Sequence, residues 1–232
     1  MEHYFGFSDL VRQTGRGTPV DECGEEIERL FDPRLSTEHR RVPESQLIVY
    51  NTMKQVSQLQ WLDPRATGPV PDDFTLVIRI DGACRGNGTP GARAAWAVYL
   101  GPGSRYNAFD LLRPALPQTS SRAEIEALVQ ALRIVRDITK DDFRLQQVRI
   151  LSDSEYLVNA MGRWIPEWIE AGGRRANGKP VAHYQVLKEI HEKLDDMTYG
   201  DDGGLDFKFW HISREKNREA DALANQALNC LD

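Results

Sequence analysis

The sequence contains few cysteines and no long apolar run. Three cysteines occur among 232 residues, Cys23, Cys84 and Cys230, and none belongs to a Cys-x-x-Cys motif or a Cys/His cluster of the kind that binds zinc. No segment approaches the ~20 apolar residues that cross a bilayer, and the acidic N-terminus, with Glu2 and Asp9, differs from a basic signal or transit peptide. We therefore expect an intracellular protein of the nucleus or cytoplasm that is neither secreted nor bound to a membrane.

An excess of positive charge is also missing. The formal net charge of −6 argues against a general nucleic-acid-binding surface. The acidity is uneven, because residues 1–73 hold 8 Lys/Arg and 13 Asp/Glu, whereas residues 74–232 hold 21 and 22. The second part can still bind a polyanion through a local basic patch and bound metal cations, so net charge does not exclude that function.

The sequence pattern changes near Phe74. Before it lie a helical pattern over Glu25–Phe31, a strand-like run at Gln46–Tyr50 and a Pro/Gly/Asp-rich stretch at Asp63–Asp73. We interpret residues 1–73 as an N-terminal extension and linker of unknown role. Residues 74–232 are long enough for one enzyme-sized domain.

Regular strand and helix signals follow Phe74. Strands are predicted over Thr75–Ile80, Ala92–Leu100, Asn107–Leu112, Gln147–Leu151 and Leu205–Ile212. Helices are predicted to begin near Ser120 or Ser121, Ser154, Ala182 and Asn217. This order predicts an α/β fold, a mixed sheet with helices on both faces.

Two acidic residues follow predicted core strands. Asp81 follows the first strand and Asp153 the fourth. Ligands bind at the carboxyl ends of strands in open α/β sheets, so the two carboxylates are candidates for one site. The alternatives are that Asp153 caps the next helix and that Asp81 begins a turn.

Two further acids lie on the core-facing sides of predicted helices. Glu124 shares the apolar stripe of its helix, whereas Glu126 is predicted to face solvent. A capping box with Ser121 is the alternative explanation for Glu124. Asp221 likewise shares the apolar stripe of the last helix. Four acids at one sheet edge need cations, and hard divalent ions with oxygen ligands suit them.

Four segments of the sequence carry a family resemblance. They read IDGACRGNGTPG, SSRAEIEAL, LSDSEYLVNAMGRWIPEW and NREADALANQAL. In content and order, over about two-thirds of the chain, they resemble the catalytic segments of the type 1 ribonuclease H family. The resemblance implies a ribonuclease H-like fold with a five-stranded mixed sheet. It also implies an endoribonuclease that hydrolyses the RNA strand of an RNA·DNA hybrid. We expect the protein to be a monomer.

The resemblance assigns the four acids to metal binding. Asp81, Glu124, Asp153 and Asp221 match the family's metal-binding carboxylates, with two Mg²⁺ ions, or Mn²⁺ instead, as the cofactor. Two metal ions about 4 Å apart can activate a water and stabilise the leaving oxygen of a phosphodiester. Asp81 is expected to bridge both ions, with Asp153 on the nucleophile side and the other two acids on the leaving-group side.

The resemblance also implies a set of substrate-binding residues. Tryptophans beside a basic protrusion are expected to contact the DNA strand, and asparagines and serines to contact the RNA strand. Core packing is the alternative for the tryptophans, and a solvated loop is the alternative for the cations. The predicted contacts are Asn87, Ser120, Ser121, Trp164, Trp168, Arg174, Arg175, Lys179 and Asn217.

The sequence departs from the family pattern in two places. Thr119, Ser120 and Ser121 stand where family members commonly have Thr-Asn-Asn, so contacts to RNA sugar hydroxyls are expected to be altered. The run WHISREKNREAD lacks the Gly-rich histidine loop that many members have before the last acid. We expect slower turnover with the metal-binding set intact. His211 is expected to be structural, and Glu215 is a weak candidate for part of the vacant position.

Two other classes of function remain. One is a nucleic-acid-binding module with a degenerate nuclease fold, but such a module would more naturally have lost an acid. The other is a related nuclease of the same superfold, such as an integrase or resolvase. The WIPEW segment with its basic loop, and the loop that contains Asn87, favour the hybrid-specific family.

Overall fold

A computed structural model of the protein describes Gly24, Ile27, residues 29–200 and residues 204–230. Its strands are β1 (Ile48–Asn51), β2 (Val56–Leu62), β3 (Pro69–Pro71), β4 (Thr75–Arg85), β5 (Arg93–Tyr99), β6 (Ala108–Leu111), β7 (Gln147–Ser152) and β8 (Asp206–His211). Its α-helices are α1 (Ser120–Thr139), α2 (Glu155–Asn159), α3 (Ile165–Glu170), α4 (Tyr184–Tyr199) and α5 (Arg218–Asn229). A π-helical turn, Ala160–Trp164, joins α2 to α3, and 3₁₀ turns occupy Glu44–Gln46 and Arg214–Lys216.

The core of the fold is a mixed five-stranded sheet in the order β6-β5-β4-β7-β8. Strands β4, β5 and β6 pair antiparallel, whereas β7 lies parallel to both β4 and β8. Val98 of β5 packs in the same cluster as α1, and Ala95 of the same strand packs against α5. Because successive side chains of a strand point to opposite faces, α1 and α5 cover opposite faces of the sheet. The predicted mixed sheet with helices on both faces is confirmed.

Burial on both sides explains the apolar composition of β4. Leu76, Ile78 and Ile80 contribute to the main core, whereas Val77 points to the other face, and each is at most 1% exposed. A strand covered on both faces reads as a continuous apolar run. On α1 the predicted stripe is buried throughout, at Ile125, Leu128, Leu132 and Val135.

The extension covers the part of the second sheet face that α5 leaves open. A separate apolar cluster joins Val77, Leu151, Trp210 and Ile212 of the sheet to side chains of the extension. Those extension side chains are Phe31, Val42, Leu47, Ile48 and Leu59. Residues 29–72 are therefore packed against the sheet and contribute to its stability.

Parts of the extension also pair with the sheet. Strand β2 pairs with β1 and β3, and meets β4 at Ser57 and Val77. At the other edge, Phe31 N donates to Phe209 O at 2.9 Å. The prediction that Asp63–Asp73 is a linker was wrong for its second half, which holds β3 and the buried Asp72. The division of the chain at residue 73 stays a prediction.

Two smaller points complete the fold. The helical pattern expected over Glu25–Phe31 lies partly outside the described residues, and its described end forms a turn and a β-bridge from Leu30 to Phe209. No helix in the described part of the chain is long and apolar enough to cross a membrane.

Candidate active site

Asp81 lies inside a strand. It was expected at the end of the first strand, but β4 continues to Arg85 and Asp81 pairs with Ala97 of β5. The pairing of β4 with β7 ends earlier, at Arg79 and Leu151. Asp81 therefore occupies the position on β4 just beyond the point where β7 diverges, and it is 5% exposed. The turn alternative for Asp81 is wrong.

A glycine beside Asp81 lets α1 approach the strand. A Cβ atom built at Gly82 would lie 2.3 Å from the backbone nitrogen of Glu124. Only a residue without a side chain allows this contact, which brings the first turn of α1 against β4. The capping box between Ser121 and Glu124 is absent, because Thr119 is the N-cap and its side chain accepts from the nitrogen of Arg122. Glu124 is free of a capping role and accepts from Ser152 Oγ at 3.5 Å.

Glu126 is buried, contrary to expectation. It is 7% exposed, forms an ion pair with Arg122 at 2.9 Å, and accepts from Gln130 at 2.7 Å. The periodicity of α1 predicted that one stripe of the helix packs against the core and that Glu126, outside this stripe, faces solvent. The start of α4 also lies near this part of α1, since burial and then the charge of Arg122 lower the pKa of His183, the N-cap of α4. Charge compensation within one helix makes this burial tolerable.

Asp153 is held by a buried asparagine and does not cap α2. The N-cap of α2 is Ser154, whose hydroxyl accepts from Leu157 N. Asp153 Oδ1 accepts from Asn217 Nδ2 at 2.9 Å, and the same amide donates to Ile80 O at 3.0 Å. Asn217 is fully buried. Its side chain links Asp153 to β4, and its burial does not favour the predicted contact with a substrate.

The carboxylates of Asp81, Glu124 and Asp153 converge. Each offers an oxygen within 4.8 Å of the others. Asp221, in the first turn of α5, lies beside them, where its charge acts on Asp81 and its Oδ1 is 3.6 Å from Arg214 Nη2. The four predicted acids therefore meet at one edge of the sheet.

Burial, and then repulsion between the carboxylates, disfavours the charged forms of two of these acids. Burial and the charges of Asp153 and Asp221 raise the pKa of Asp81 to about 7. Burial, Asp81 and Asp153 raise the pKa of Glu124 well above its ordinary value. An oxygen-only set of crowded carboxylates suits a hard divalent cation such as Mg²⁺ or Mn²⁺, which would relieve the repulsion.

Comparison with known proteins identifies the family of this chain. The sequence model of the RNase H family matches residues 74–229. The chain belongs to the ribonuclease H family. Ribonuclease H of Paracidovorax citrulli is 32% identical over 156 residues, which are 66% of this chain and 94% of that protein. Ribonuclease H1 of Rattus norvegicus is 31% identical over 156 residues, 66% of this chain but only half of that longer protein.

A solved structure agrees on the fold. LC11-RNase H1, isolated from compost, aligns with a TM-score of 0.50 and 24% identity over 67% of this chain and 96% of that one. This likeness supports the ribonuclease H-like fold and carries no residue roles. Residues 1–73, which precede the match, include the part of the extension that packs on the second sheet face.

The predicted substrate contacts of this ribonuclease H lie in different environments. Asn87, in the turn between β4 and β5, and Ser121 are exposed, and Ser120 is half-buried. Trp168 is 8% exposed and packs in the core, where its carbonyl accepts from Gly173 N at 2.7 Å. Its position supports the loop that follows, and direct contact with a substrate is not favoured by its burial.

The loop after α3 presents cations to solvent. Beneath the loop, the half-buried ring of Trp164 packs beside the rings of Trp168 and Tyr156. Backbone bonds hold the loop in a tight turn, with Arg175 N donating to Lys179 O at 2.9 Å. The side chains of the loop cations are exposed; they are Arg174, Arg175 and Lys179.

One charged residue near the acids was missed in the sequence. Arg214 lies in the 3₁₀ turn before α5, and its guanidinium reaches Asp221. The cationic residues just before the last acid in the sequence were the signal that could have indicated this arginine. Glu215, the weak candidate for the vacant position, is exposed, and hydrogen bonds from its own backbone and from Ser213 lower its pKa.

Proposed function

We propose that this ribonuclease H hydrolyses the RNA strand of RNA·DNA hybrids with two Mg²⁺ ions held by Asp81, Glu124, Asp153 and Asp221. The observation that carries the proposal is the convergence of three carboxylates, whose oxygens lie within 4.8 Å of one another. Asp81 is buried and the other two are half-buried, and burial and mutual repulsion raise the pKa values of Asp81 and Glu124. The curated relatives named ribonuclease H and ribonuclease H1 support the same activity.

Asp81 is the shared member of the acid set. Its charge is coupled to Asp153 and Asp221, and it also acts on Glu124. A carboxylate that interacts electrostatically with all the others is the one suited to bridge two ions, which supports the assignment made from the family resemblance. The ions, when bound, supply an activated water and stabilise the leaving oxygen.

Other residues hold this set in place. Gly82 lets Glu124 approach the strand, Asn217 ties Asp153 to the carbonyl of Ile80, and Ser152 donates to Glu124. None of these groups carries a charge, so they orient the carboxylates without competing with cations. Arg174, Arg175 and Lys179 are proposed to bind phosphates of the DNA strand, because all three are exposed on one hydrogen-bonded turn.

The test is a cleavage assay with the full chain on three end-labelled substrates: an RNA·DNA hybrid, double-stranded DNA and double-stranded RNA. We expect cleavage of the RNA strand of the hybrid that depends on added Mg²⁺ and stops with a chelator. The Asp81→Asn variant serves as the matched inactive control. Equal cutting of all three substrates, or cutting that persists in the variant, would contradict the proposal.

A further inference from the structure

A cleft lies where the extension meets the end of β8. Parts of residues 31–47 form one of its walls, and parts of residues 210–216 form the other. Its volume of about 540 Å³ lies within the range of about 300–1,000 Å³ that is usual for small-molecule sites. The family model begins to match at residue 74, so the first wall precedes the match. The four acids of the active site do not line this cleft.

One loop separates the cleft from the acid cluster. Lys216 lies on the cleft wall, and the next residue, Asn217, donates to Asp153 Oδ1 at 2.9 Å. The loop backbone is held by a hydrogen bond from Lys216 N to Ser213 O at 2.9 Å. A nucleic-acid strand that leaves the acid cluster over this loop would meet the cleft next.

The lining of the cleft is locally positive. Arg34, Arg40 and Lys216 line it with exposed side chains, whereas its acids are Asp32 and Glu44. With the histidines neutral, three cations therefore stand against two acids, in a chain whose net charge is −6. Such a lining on an acidic protein favours an anionic ligand.

The guanidinium of Arg34 is oriented by a buried carboxylate. Its Nε donates to both oxygens of Asp32 at 3.0 Å, and its Nη2 donates to Oδ2 at 2.6 Å. Asp32 is 6% exposed, whereas the Arg34 side chain is 72% exposed. The pair fixes the plane of the guanidinium and leaves further N–H donors for a ligand. A planar fork of this kind matches the oxygens of a phosphate.

Trp210 supplies an aromatic surface in the same cleft. Its side chain is half-buried, and its ring packs against the ring of Phe31 with the centroids 5.4 Å apart and the planes at 72°. This contact holds the ring in place while part of it stays exposed. Nucleobases of any sequence stack on such rings. A ring for a base and cations for a phosphate together make the two halves of a nucleotide site.

Resting on the proposed function, we propose that this cleft binds a nucleotide, with the base against Trp210 and the phosphate on Arg34 and Arg40. The same chemistry can come from an unpaired nucleotide at the end of a bound hybrid or from a free nucleotide. The position of the cleft beside the acid cluster favours the unpaired end. The cleft then extends the binding surface beyond the paired part of the substrate, and no bond is made or broken in it.

The experiment first compares a blunt hybrid with hybrids that carry a few unpaired nucleotides, added to each strand end in turn. Binding to the full chain is measured without Mg²⁺, so that no substrate is cut. We expect one of the extended hybrids to bind about tenfold more tightly than the blunt one, a gain typical of one stacked base. Free AMP and dAMP, with inorganic phosphate for comparison, are titrated separately to test the second source.

Two cleft variants and a matched control identify where the gain arises. Arg34→Gln with Arg40→Gln removes the cations and keeps a donor for Asp32, and Trp210→Leu removes the ring. The control, Arg133→Gln with Arg136→Gln, removes the same charge from the exposed side of α1. The gain should fall to about twofold or less in both cleft variants and stay about tenfold in the control. Melting temperatures report folding, and the exposed cation variant decides alone if Trp210→Leu does not fold.

The outcomes separate the two sources from an error. A gain from an unpaired end that is lost in the cleft variants supports the first source. Binding of AMP or dAMP that is lost in the same variants, without such a gain, supports the second. Absence of both effects, a gain unchanged in the cation variant, an equal loss in the control, or phosphate binding as tight as that of AMP would each overturn the inference. A wild-type protein that fails to cut the hybrid would overturn the proposed function, whereas the cleft is decided by binding alone.

Discussion

Two groups of charged side chains lie on the central sheet, and they differ in the balance of positive and negative charge. Besides the acid cluster, the second face carries Arg149, which is 2% exposed, pairs with Asp206 at 3.0 Å and lies over the Phe31 ring at 4.9 Å. Buried His39 and Asp72 lie nearby, close enough for Arg149 to affect both. This second group contains its own cation, whereas the first is a set of acids with one exposed arginine beside it.

The comparison shows why the acid cluster, and not the second group, is the proposed metal site. Within the described residues, Glu38, His39 and Asp72 also have the spacing of metal ligands. The positive charge of Arg149 already compensates the negative charge of this group. Burial lowers the pKa of His39 to about 4. Spacing alone therefore does not indicate a metal. An excess of buried negative charge does, because it leaves a free-energy cost that a cation relieves.

The largest expected effect is on cleavage by Asp153→Asn. The substitution keeps the shape and the bond from Asn217 but removes a charge that the metals require, so cleavage should slow by about a thousandfold or more, equivalent to about 4 kcal/mol of barrier. Because the variant has less repulsion among its carboxylates, the melting temperature of the metal-free protein should stay unchanged or rise. Asp206→Asn is the matched control, because it makes the same chemical change in the balanced group. Near-normal cleavage by Asp153→Asn would reject its role as a ligand.

The pH dependence of stability should have opposite signs in the two groups. The folded pKa of Asp81, about 7, lies above its ordinary value of 3.8, so its contribution is full at low pH and is lost as pH rises from about 4 to 7. The size is up to about 4 kcal/mol, since each pKa unit is worth about 1.4 kcal/mol. His39 has a folded pKa of about 4, below 6.5, so its contribution is present above pH 6.5 and is lost as pH falls toward 4.

Urea unfolding with a chelator at several pH values measures both effects. Asp81→Asn should make the loss of stability with rising pH smaller, and His39→Gln should make it larger. Added Mg²⁺ should remove most of the loss in the wild type, because bound metal favours the ionised carboxylates. Identical pH profiles for the wild type and Asp81→Asn would show that the acid cluster is not repulsive.

A smaller effect, now on stability, is expected for Arg149→Met. This change leaves Asp206 and Asp72 without their buried partner, and loss of one member of a buried pair costs about 3–5 kcal/mol. Because the Asp206 side chain is 47% exposed and can be hydrated, we expect about 2 kcal/mol. The folded fraction should cleave the hybrid at the wild-type rate. A stability loss with an equal loss of rate would mean that the second face is coupled to the active site.

Sequence reasoning identified the acids of the candidate site because they follow local rules. Asp153 follows a strand, and Glu124 and Asp221 lie on the apolar stripes of amphipathic helices, patterns that are visible without tertiary structure. The position of Asp81 inside β4 was not visible, since the strand is prolonged by pairing with β5 beyond the end of β7. Glu126 was missed for a similar reason, because a single helix does not reveal a second covering element.

The extension was harder to predict because its structure depends on the sheet it covers. Strand β3 has three residues, two of them proline, and proline is common in edge strands and in linkers alike. The apolar residues Phe31, Val42 and Leu47 have no regular period, so nothing local showed that they share one cluster. Such a segment becomes recognisable only when the uncovered face of the neighbouring domain is known.

The smallest expected effect concerns hybrid binding by the loop after α3. Replacing Arg174, Arg175 and Lys179 by Ala should weaken binding and reduce the slope of log K against log salt by up to about 2.7, since each phosphate contact contributes roughly 0.9. The fold should be retained, because backbone bonds such as Arg175 N to Lys179 O shape the turn.

The control for this loop is a second variant with the same loss of charge on the exposed side of α1. It replaces Arg133, Arg136 and Lys140 by Ala. A long-range effect of net charge would change both salt slopes alike, whereas direct phosphate contacts change only the slope of the loop variant. Binding is measured without Mg²⁺ over a series of salt concentrations, so that no substrate is cut. Equal slopes in the two variants would assign the loop cations to a solvated surface and leave the four carboxylates unaffected.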